Sequence, residues 1–230
     1  MARCTAYENL NGKTEFVEDQ EEWPHKWDKL EMVYDVIGKS RTISPKDMRK
    51  ALNLAMTTWD LEINIKFIPK YYAMDKPVDI TIDFQSSTQN EYFKDRPSVL
   101  AYAYYPGQGS VSGKVVFNDD YIWTLNGDPI RVKDAPPEYY VGSPDPNSML
   151  RTHNVIHVLI HELGHSLGLK HDASGNRDGR DVMDAYYSGE LELSPRDIYR
   201  IRLKYPPRIF ARWSWYARLK KAVARMKSRL

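Results

Sequence analysis

The chain has 230 residues, of which 42% are hydrophobic and 12% aromatic, and a formal net charge of +2, as expected for one globular domain with short appendages. No run of 18 or more apolar residues occurs, and this excludes a membrane-spanning helix, while residues 1–6 lack the apolar segment of a secretory signal. The single cysteine, Cys4, excludes an internal disulfide.

Residues 1–25 are polar and irregular, which predicts an arm packed on the domain. Five later runs are rich in β-branched and aromatic residues, and several alternate apolar and polar residues, a pattern typical of strands. These predicted strands are Glu31–Ile37, Ile63–Ile68, Val78–Phe84, Leu100–Tyr104 and Gly113–Asn118.

Two helices are predicted to begin in the same way. Ser44 and Ser194 stand at N-cap positions, each followed by proline and, three residues after the cap, by aspartate. The first helix continues with one apolar stripe that should face the core, formed by Met48, Ala51, Leu52, Ala55, Met56 and Trp59. The second should end before Pro206.

Residues 124–148 are rich in proline, glycine and aspartate. This stretch is either a lid over a cleft or, as we favour, a surface insertion. A further helix is predicted from about Met149 to Gly168.

That helix carries the pattern H-E-x-x-H-x-x-G-x-x-H from His161 to His171. Residues four apart project from the same helix face, so His161 and His165 can bind one zinc ion. Glu162 is rotated by about 100° from His161, which places it beside the ion as a general base. Gly168 can adopt positive φ and end the helix, so that His171 supplies a third ligand. Three protein ligands leave one position for water, as in a catalytic zinc site.

A half-buried polar face is the alternative interpretation of this histidine-rich segment. We disfavour it for His161, His165 and His171 because Glu162 and a helix-ending glycine accompany them. For His153 and His157, which have no such partners, a structural or pocket-lining role is the favoured interpretation.

The C-terminal residues 208–230 contain eight basic and no acidic residues, while the remaining chain has 25 basic and 31 acidic residues. Apolar residues at three- and four-residue spacing predict a basic amphipathic helix. It suits an anionic membrane, nucleic acid or an acidic protein partner, and the alternative is that it docks on its own domain.

With its extended histidine motif and with Met183 twelve residues past His171, the sequence resembles the metzincin metalloproteases. Val99–Gly107 and the segment that begins at Leu193 are similar in particular to the matrixin (matrix metalloproteinase) catalytic domain. The resemblance implies an α+β zincin fold: a twisted, mostly parallel five-stranded sheet with an antiparallel edge strand, an active-site helix and a C-terminal helix. It implies an N-terminal arm over 1–25, a catalytic domain over 26–206 and a tail over 207–230.

The resemblance also implies several roles. Met183 would form a hydrophobic base beneath the zinc, and an extended substrate would pair with the edge strand at Leu100 and Ala101. Tyr187 would close the wall of the pocket beyond the scissile bond, with His157 near its floor.

The sequence departs from matrixins where they hold a second, structural zinc: Tyr102 and Val116 replace histidines, so we expect that ion to be absent. Calcium ligands near Asp119 and Asp120 are only partly matched, and a solvated turn is favoured there. Arg3-Cys4 is faintly similar to the cysteine-bearing pro-segment, but the glycine, proline and aspartate that should follow are missing.

The favoured function is a zinc-dependent endopeptidase with Glu162 as general base, acting on protein or peptide substrates. The alternative is a structural or adhesive component of an assembly that retains the fold. An intact Glu162 counts against this alternative.

Overall fold

The computed structural model describes residues 3–10, 13–15, 23–140, 145–172 and 181–208, the first two segments by their backbone alone. The strands are β1 (Arg3–Leu10), β2 (Lys13–Glu15), β3 (Glu31–Val36), β4 (Lys66–Pro69), β5 (Ile80–Gln85), β6 (Val99–Tyr104), β7 (Lys114–Asn118), β8 (Trp123–Thr124), β9 (Ile130–Arg131), β10 (Met149–Leu150) and β11 (His153–Asn154). The helices are α1 (Pro45–Asp60), α2 (Glu91–Asp95), α3 (Val155–Ser166) and α4 (Pro195–Lys204). Within these residues, no helix is long and apolar enough to cross a membrane.

Strands β3 to β7 form the expected five-stranded unit, in the order β6-β7-β5-β3-β4. All pairs are parallel except β6 with β7, so β6 is the antiparallel edge strand of this unit. The α+β prediction and its mostly parallel sheet are therefore confirmed.

The N-terminal arm extends this sheet. Strand β1 pairs in parallel with the outer edge of β6, and β2 pairs antiparallel with β1, which gives seven strands in all. No strand was predicted in this arm. It forms strands here because it pairs with the edge of β6, a non-local contact that the local sequence does not reveal.

Helices α1 and α3 pack against each other in the core, where Trp59 Nε1 donates a hydrogen bond of 2.9 Å to the carbonyl of Ile160. The predicted apolar stripe of α1 is buried. Both serine caps are confirmed: Ser44 Oγ accepts from Asp47 N, and Ser194 and Asp197 form a capping box at the start of α4.

Helix α3 is shorter than predicted. It begins at Val155 because Asn154 accepts from the backbone N–H groups of Ile156 and His157 and so caps the helix. His153 lies in the short strand β11 and pairs with Trp123 of β8. The helix therefore carries His157, His161 and His165, but not His153, which the predicted helix from about Met149 would have included.

The insertion over 124–148 contains β9, which pairs with β10, and it contacts the domain body where the Tyr139 hydroxyl donates to the carbonyl of Asp119. Its assignment as a surface insertion stays a prediction. The predicted amphipathic tail lies, apart from Arg208, outside the described residues.

Candidate metal centre

Three histidines converge where α3 ends. His161 and His165 project from the same face of the helix, and Gly168, with φ of 98°, turns the chain so that His171 returns to them. A Cβ atom on residue 168 would lie 2.9 Å from the carbonyl oxygen of His25, so glycine suits both the turn and the close packing. The predicted role of Gly168 is confirmed.

The three Nε2 atoms lie within one coordination sphere. They are 2.9 Å apart between His161 and His165, 3.1 Å between His165 and His171, and 3.3 Å between His161 and His171. Tetrahedral zinc with Zn–N bonds of about 2.0–2.1 Å separates its nitrogen ligands by about 3.3 Å. The donor set therefore fits one zinc ion after shifts of a few tenths of an ångström.

Backbone carbonyls orient two of these rings. His161 Nδ1 donates to the carbonyl of Val182, and His165 Nδ1 donates to the carbonyl of Leu169, each at 2.7 Å. Since a carbonyl oxygen only accepts, Nδ1 carries the proton in both rings and Nε2 offers a lone pair. Burial lowers the pKa of His161 and His165 well below the ordinary value, and neighbouring histidines lower it further, which favours the neutral form that binds metal.

Glu162, the predicted general base, is fully buried in α3, next in sequence to His161. The helix thus holds a buried carboxylate at the residue that follows the first of the three histidines. Such a combination can polarise and deprotonate a water molecule.

Met183 is completely buried and packs against α3. A Cβ atom added at Gly164 would lie 2.4 Å from Met183 Sδ and 3.0 Å from Trp59 Cζ2, so the helix approaches both side chains as closely as glycine permits. Met183 therefore lies against the helix at Gly164, which stands between His161 and His165 in sequence. Its role as a hydrophobic base beneath the zinc stays a prediction.

Asp197 has a structural role at this centre that sequence reasoning did not find. Its fully buried carboxylate accepts from the N–H of Val182 at 2.9 Å, and the carbonyl of Val182 in turn orients His161. The sequence identified Asp197 only as a capping residue, because the contact joins α4 to a loop 15 residues earlier.

The predicted pocket residues lie one helical turn before the metal centre. The His157 ring contacts the Tyr187 ring at 4.8 Å with the planes at 87°, and the Tyr187 hydroxyl accepts from the N–H of Asn154 at 3.0 Å. These contacts bring the first turn of α3 together with the segment after Met183.

Leu100 and Ala101 are buried in β6, and Ala101 is paired on both sides, by Phe117 of β7 and by Cys4 of β1. Strand β1 thus pairs with the edge that a substrate was predicted to use. The substrate-binding role of Leu100 and Ala101 stays a prediction.

The positions that suggested the loss of a structural zinc lie in an apolar cluster. Tyr102 and Val116 pack with Tyr92, Phe93 and Val99, and the Tyr102 hydroxyl accepts from Asn90 Nδ2 at 2.9 Å.

At the candidate calcium turn, the Asp119 carboxylate accepts hydrogen bonds from Ser40 Oγ and from the N–H and Nε of Arg41. Asn118 Nδ2 donates to the carbonyl of Val99. Side chains and backbone of the protein thus satisfy the oxygen atoms that a cation would use.

Several known matrix metalloproteinases are similar to this chain. Matrix metalloproteinase-25 of Homo sapiens is 27% identical over 179 residues, covering 76% of this chain and 27% of the relative. Interstitial collagenase of Sus scrofa is 27% identical over 185 residues, with coverages of 79% and 33%. Matrix metalloproteinase-16 of Homo sapiens is 25% identical over 218 residues, with coverages of 89% and 32%. The chain thus spans about a third or less of the length of these curated relatives.

The family model described as Matrixin matches residues 26–206, which is most of the chain and contains the three histidines, Glu162 and Met183. The chain therefore belongs to the matrixin family.

Proposed function

We propose that the protein is a zinc-dependent endopeptidase whose catalytic domain is residues 26–206. The observation that carries this proposal is the convergence of three Nε2 atoms within 2.9–3.3 Å of one another, on a helix in which the next residue after His161 is the buried Glu162. Membership of the matrixin family supports zinc as the metal and a protein or peptide as the substrate.

His161, His165 and His171 would hold one catalytic zinc ion. When bound there, zinc would polarise the scissile carbonyl and lower the pKa of the attacking water toward about 7. The carbonyls of Val182 and Leu169 hold two of the three rings in the tautomer that this binding needs.

Glu162 would accept the proton of the attacking water and return it to the leaving amine. Burial supports this role because a carboxylate removed from solvent keeps its proton transfers within the site. Met183 would support the centre from beneath by packing and would not bind the metal.

An extended substrate would pair with β6 at Leu100 and Ala101, which requires β1 to leave this edge. The side chain of the substrate residue that follows the scissile bond would enter between α3 and the segment that carries Tyr187, near His157. The pairing of β1 with β6 supports a resting state in which β1 occupies the edge of β6 that the substrate would use.

We further propose that the fold uses no structural zinc. The aromatic cluster around Tyr102 supports this by filling the region with side chains, and the protein contacts of Asp119 likewise favour a structural turn over a calcium site.

The test is to measure zinc stoichiometry and proteolysis of casein by the full chain and by Glu162→Ala. We expect one zinc per chain in both proteins and a loss of activity of about 10²–10⁴-fold in the variant, the usual contribution of a general base. Undiminished activity of Glu162→Ala would refute the general-base assignment. A zinc-loaded wild-type protein that cuts no peptide library would refute the endopeptidase proposal and favour the structural or adhesive alternative.

A further inference from the structure

Helix α4 contacts the chain on both sides of the third candidate ligand, His171. Arg200 Nη2 donates a hydrogen bond of 2.7 Å to the carbonyl of Lys170, the residue before this ligand. Arg196 Nε lies 2.7 Å from a carboxylate oxygen of Asp172, the residue after it. Two arginine side chains of one helix thus hold the two neighbours of one histidine.

The two arginines reach this segment from the same face of α4. They are four residues apart in the helix, so their side chains project in nearly the same direction and are separated by about 6 Å along the axis. Two residues of chain span at most about 7 Å, so one helical turn is long enough to contact both neighbours of His171.

The ion pair at Asp172 joins a half-exposed cation to a nearly buried anion. The exposed fraction is 50% for the Arg196 side chain and 4% for the Asp172 side chain. A carboxylate that is removed from water is stabilised by hydrogen bonds to a charged partner, and the loss of such a partner is costly. Without the guanidinium, Asp172 would therefore gain free energy by moving toward solvent, and the adjacent His171 would move with it.

His171 depends on contacts of this kind more than the other two candidate ligands do. The helical repeat of α3 fixes His161 and His165 relative to each other. His171 follows the turn at Gly168, so tertiary contacts must set its distance from them. One such contact is the hydrogen bond of 3.0 Å from the N–H of Asp172 to the carbonyl of Met183, and the two arginines supply the contacts to α4.

We propose that Arg196 and Arg200 are positioning residues that place His171 for zinc binding by holding the chain on either side of it. This inference rests on the zinc site of the proposed function and deepens it by naming the residues that complete the ligand set. Groups that hold metal ligands without touching the metal typically change metal affinity by about 10–100-fold.

The test measures the zinc affinity of the full chain by competition with a chromophoric chelator. Arg200→Met keeps a long side chain without a donor and should weaken zinc binding by about 10–100-fold. Arg200→Lys keeps a donor, although not the planar guanidinium, and should restore part of the affinity. Arg196→Met should weaken zinc binding by about tenfold, at the low end of the range, because Arg196 is half-exposed and its ion pair is partly screened by solvent.

Arg202 offers a matched control on the same helix. Its Nη2 lies 2.6 Å from a carboxylate oxygen of Glu62, and the exposed fractions of the two side chains are 45% and 4%, close to those of Arg196 and Asp172. Arg202→Met removes a comparable ion pair from a residue that does not neighbour a metal ligand. It should lower the stability in urea about as much as Arg196→Met does and leave the zinc affinity unchanged.

Cobalt substitution separates displacement of a ligand from a general loss of stability. The visible absorption of protein-bound cobalt(II) depends on the number and geometry of its ligands. The spectrum should change in Arg200→Met, return toward that of the wild-type protein in Arg200→Lys, and be the wild-type spectrum in Arg202→Met.

Failure of the wild-type chain to bind zinc would overturn this inference together with the proposed function. If the wild-type chain binds zinc, and the methionine variants at 196, 200 and 202 share its affinity and its cobalt spectrum, the positioning role is overturned and the proposed function stands. If Arg200→Met does not fold, the comparison of Arg196→Met with Arg202→Met decides, because both remove a half-exposed guanidinium from a nearly buried carboxylate.

Discussion

Replacing Asp197 should loosen the metal centre without touching a metal ligand. Its carboxylate accepts from the N–H of Val182 at 2.9 Å and of Ser194 at 3.1 Å, and Ser194 Oγ caps the same turn. Asp197→Ala removes both acceptor contacts and leaves a buried N–H unpaired, at a cost of about 2–4 kcal/mol in the free energy of unfolding. Asp197→Asn can keep an oxygen at the same place and should lower the free energy of unfolding by only about 1 kcal/mol. The cost is smaller because the variant no longer buries a charge, and the burial of that charge is unfavourable, as the raised pKa of Asp197 shows.

The effect should reach zinc through Val182, whose carbonyl orients His161. Because partners of this kind typically change metal affinity by about 10–100-fold, Asp197→Ala should weaken zinc binding in that range and Asp197→Asn by much less. Urea denaturation measures the stability, and competition with a chromophoric chelator measures the affinity. Wild-type zinc affinity in a folded Asp197→Ala protein would refute the proposed path from α4 to the ligand.

Three further predictions concern access, packing and pH. Deleting residues 1–22 should uncover β6 and raise kcat/KM for peptides. The control variant Cys4→Ser preserves the backbone pairing and should leave kcat/KM unchanged. If both changes raise kcat/KM equally, the thiol of Cys4 and not the pairing of β1 restrains the enzyme. Gly164→Ala should cost about 1–3 kcal/mol, because the new Cβ meets Met183 Sδ and Trp59, and an unchanged melting temperature would contradict that contact. The pKa of His157 falls on folding from 6.5 to about 4, so the unfolded chain binds a proton at a higher pH than the folded chain does. The free energy of unfolding should therefore decrease as the pH falls from 6.5 toward 4, by about 3 kcal/mol at pH 4, and urea denaturation should show a smaller decrease in His157→Gln. Parallel pH curves for the two proteins would contradict the assignment of this loss to His157.

Local sequence rules were sufficient where the physics is local. Ser44 and Ser194 begin helices because their hydroxyls satisfy the free N–H groups of the first turn, and these groups lie three residues away. Gly168 ends the active-site turn because positive φ is cheapest for glycine. The spacing of His161, Glu162 and His165 likewise follows from the helical repeat, so the candidate ligands could be found before any coordinates.

The start of α3 shows why local patterns were misleading elsewhere. The helix was predicted to begin at about Met149 and so to include His153, but the Asn154 cap and the pairing of β11 with β8 place that residue in a strand. The competing partner, Trp123, is 30 residues earlier in the chain, and helical periodicity carries no information about it.

The amino-acid sequence by itself determined the spacing of the candidate metal ligands and the helix caps, because each depends on residues within a few turns of one another, and its motifs sufficed to reveal the matrixin character of the chain. Only the tertiary structure decided that β1 covers the edge of β6, that Asp197 supports His161 through Val182, and that His153 lies in a strand. Each of these depends on atoms that the fold brings together from distant parts of the chain, where the energy of a contact is set by burial and geometry and not by sequence separation.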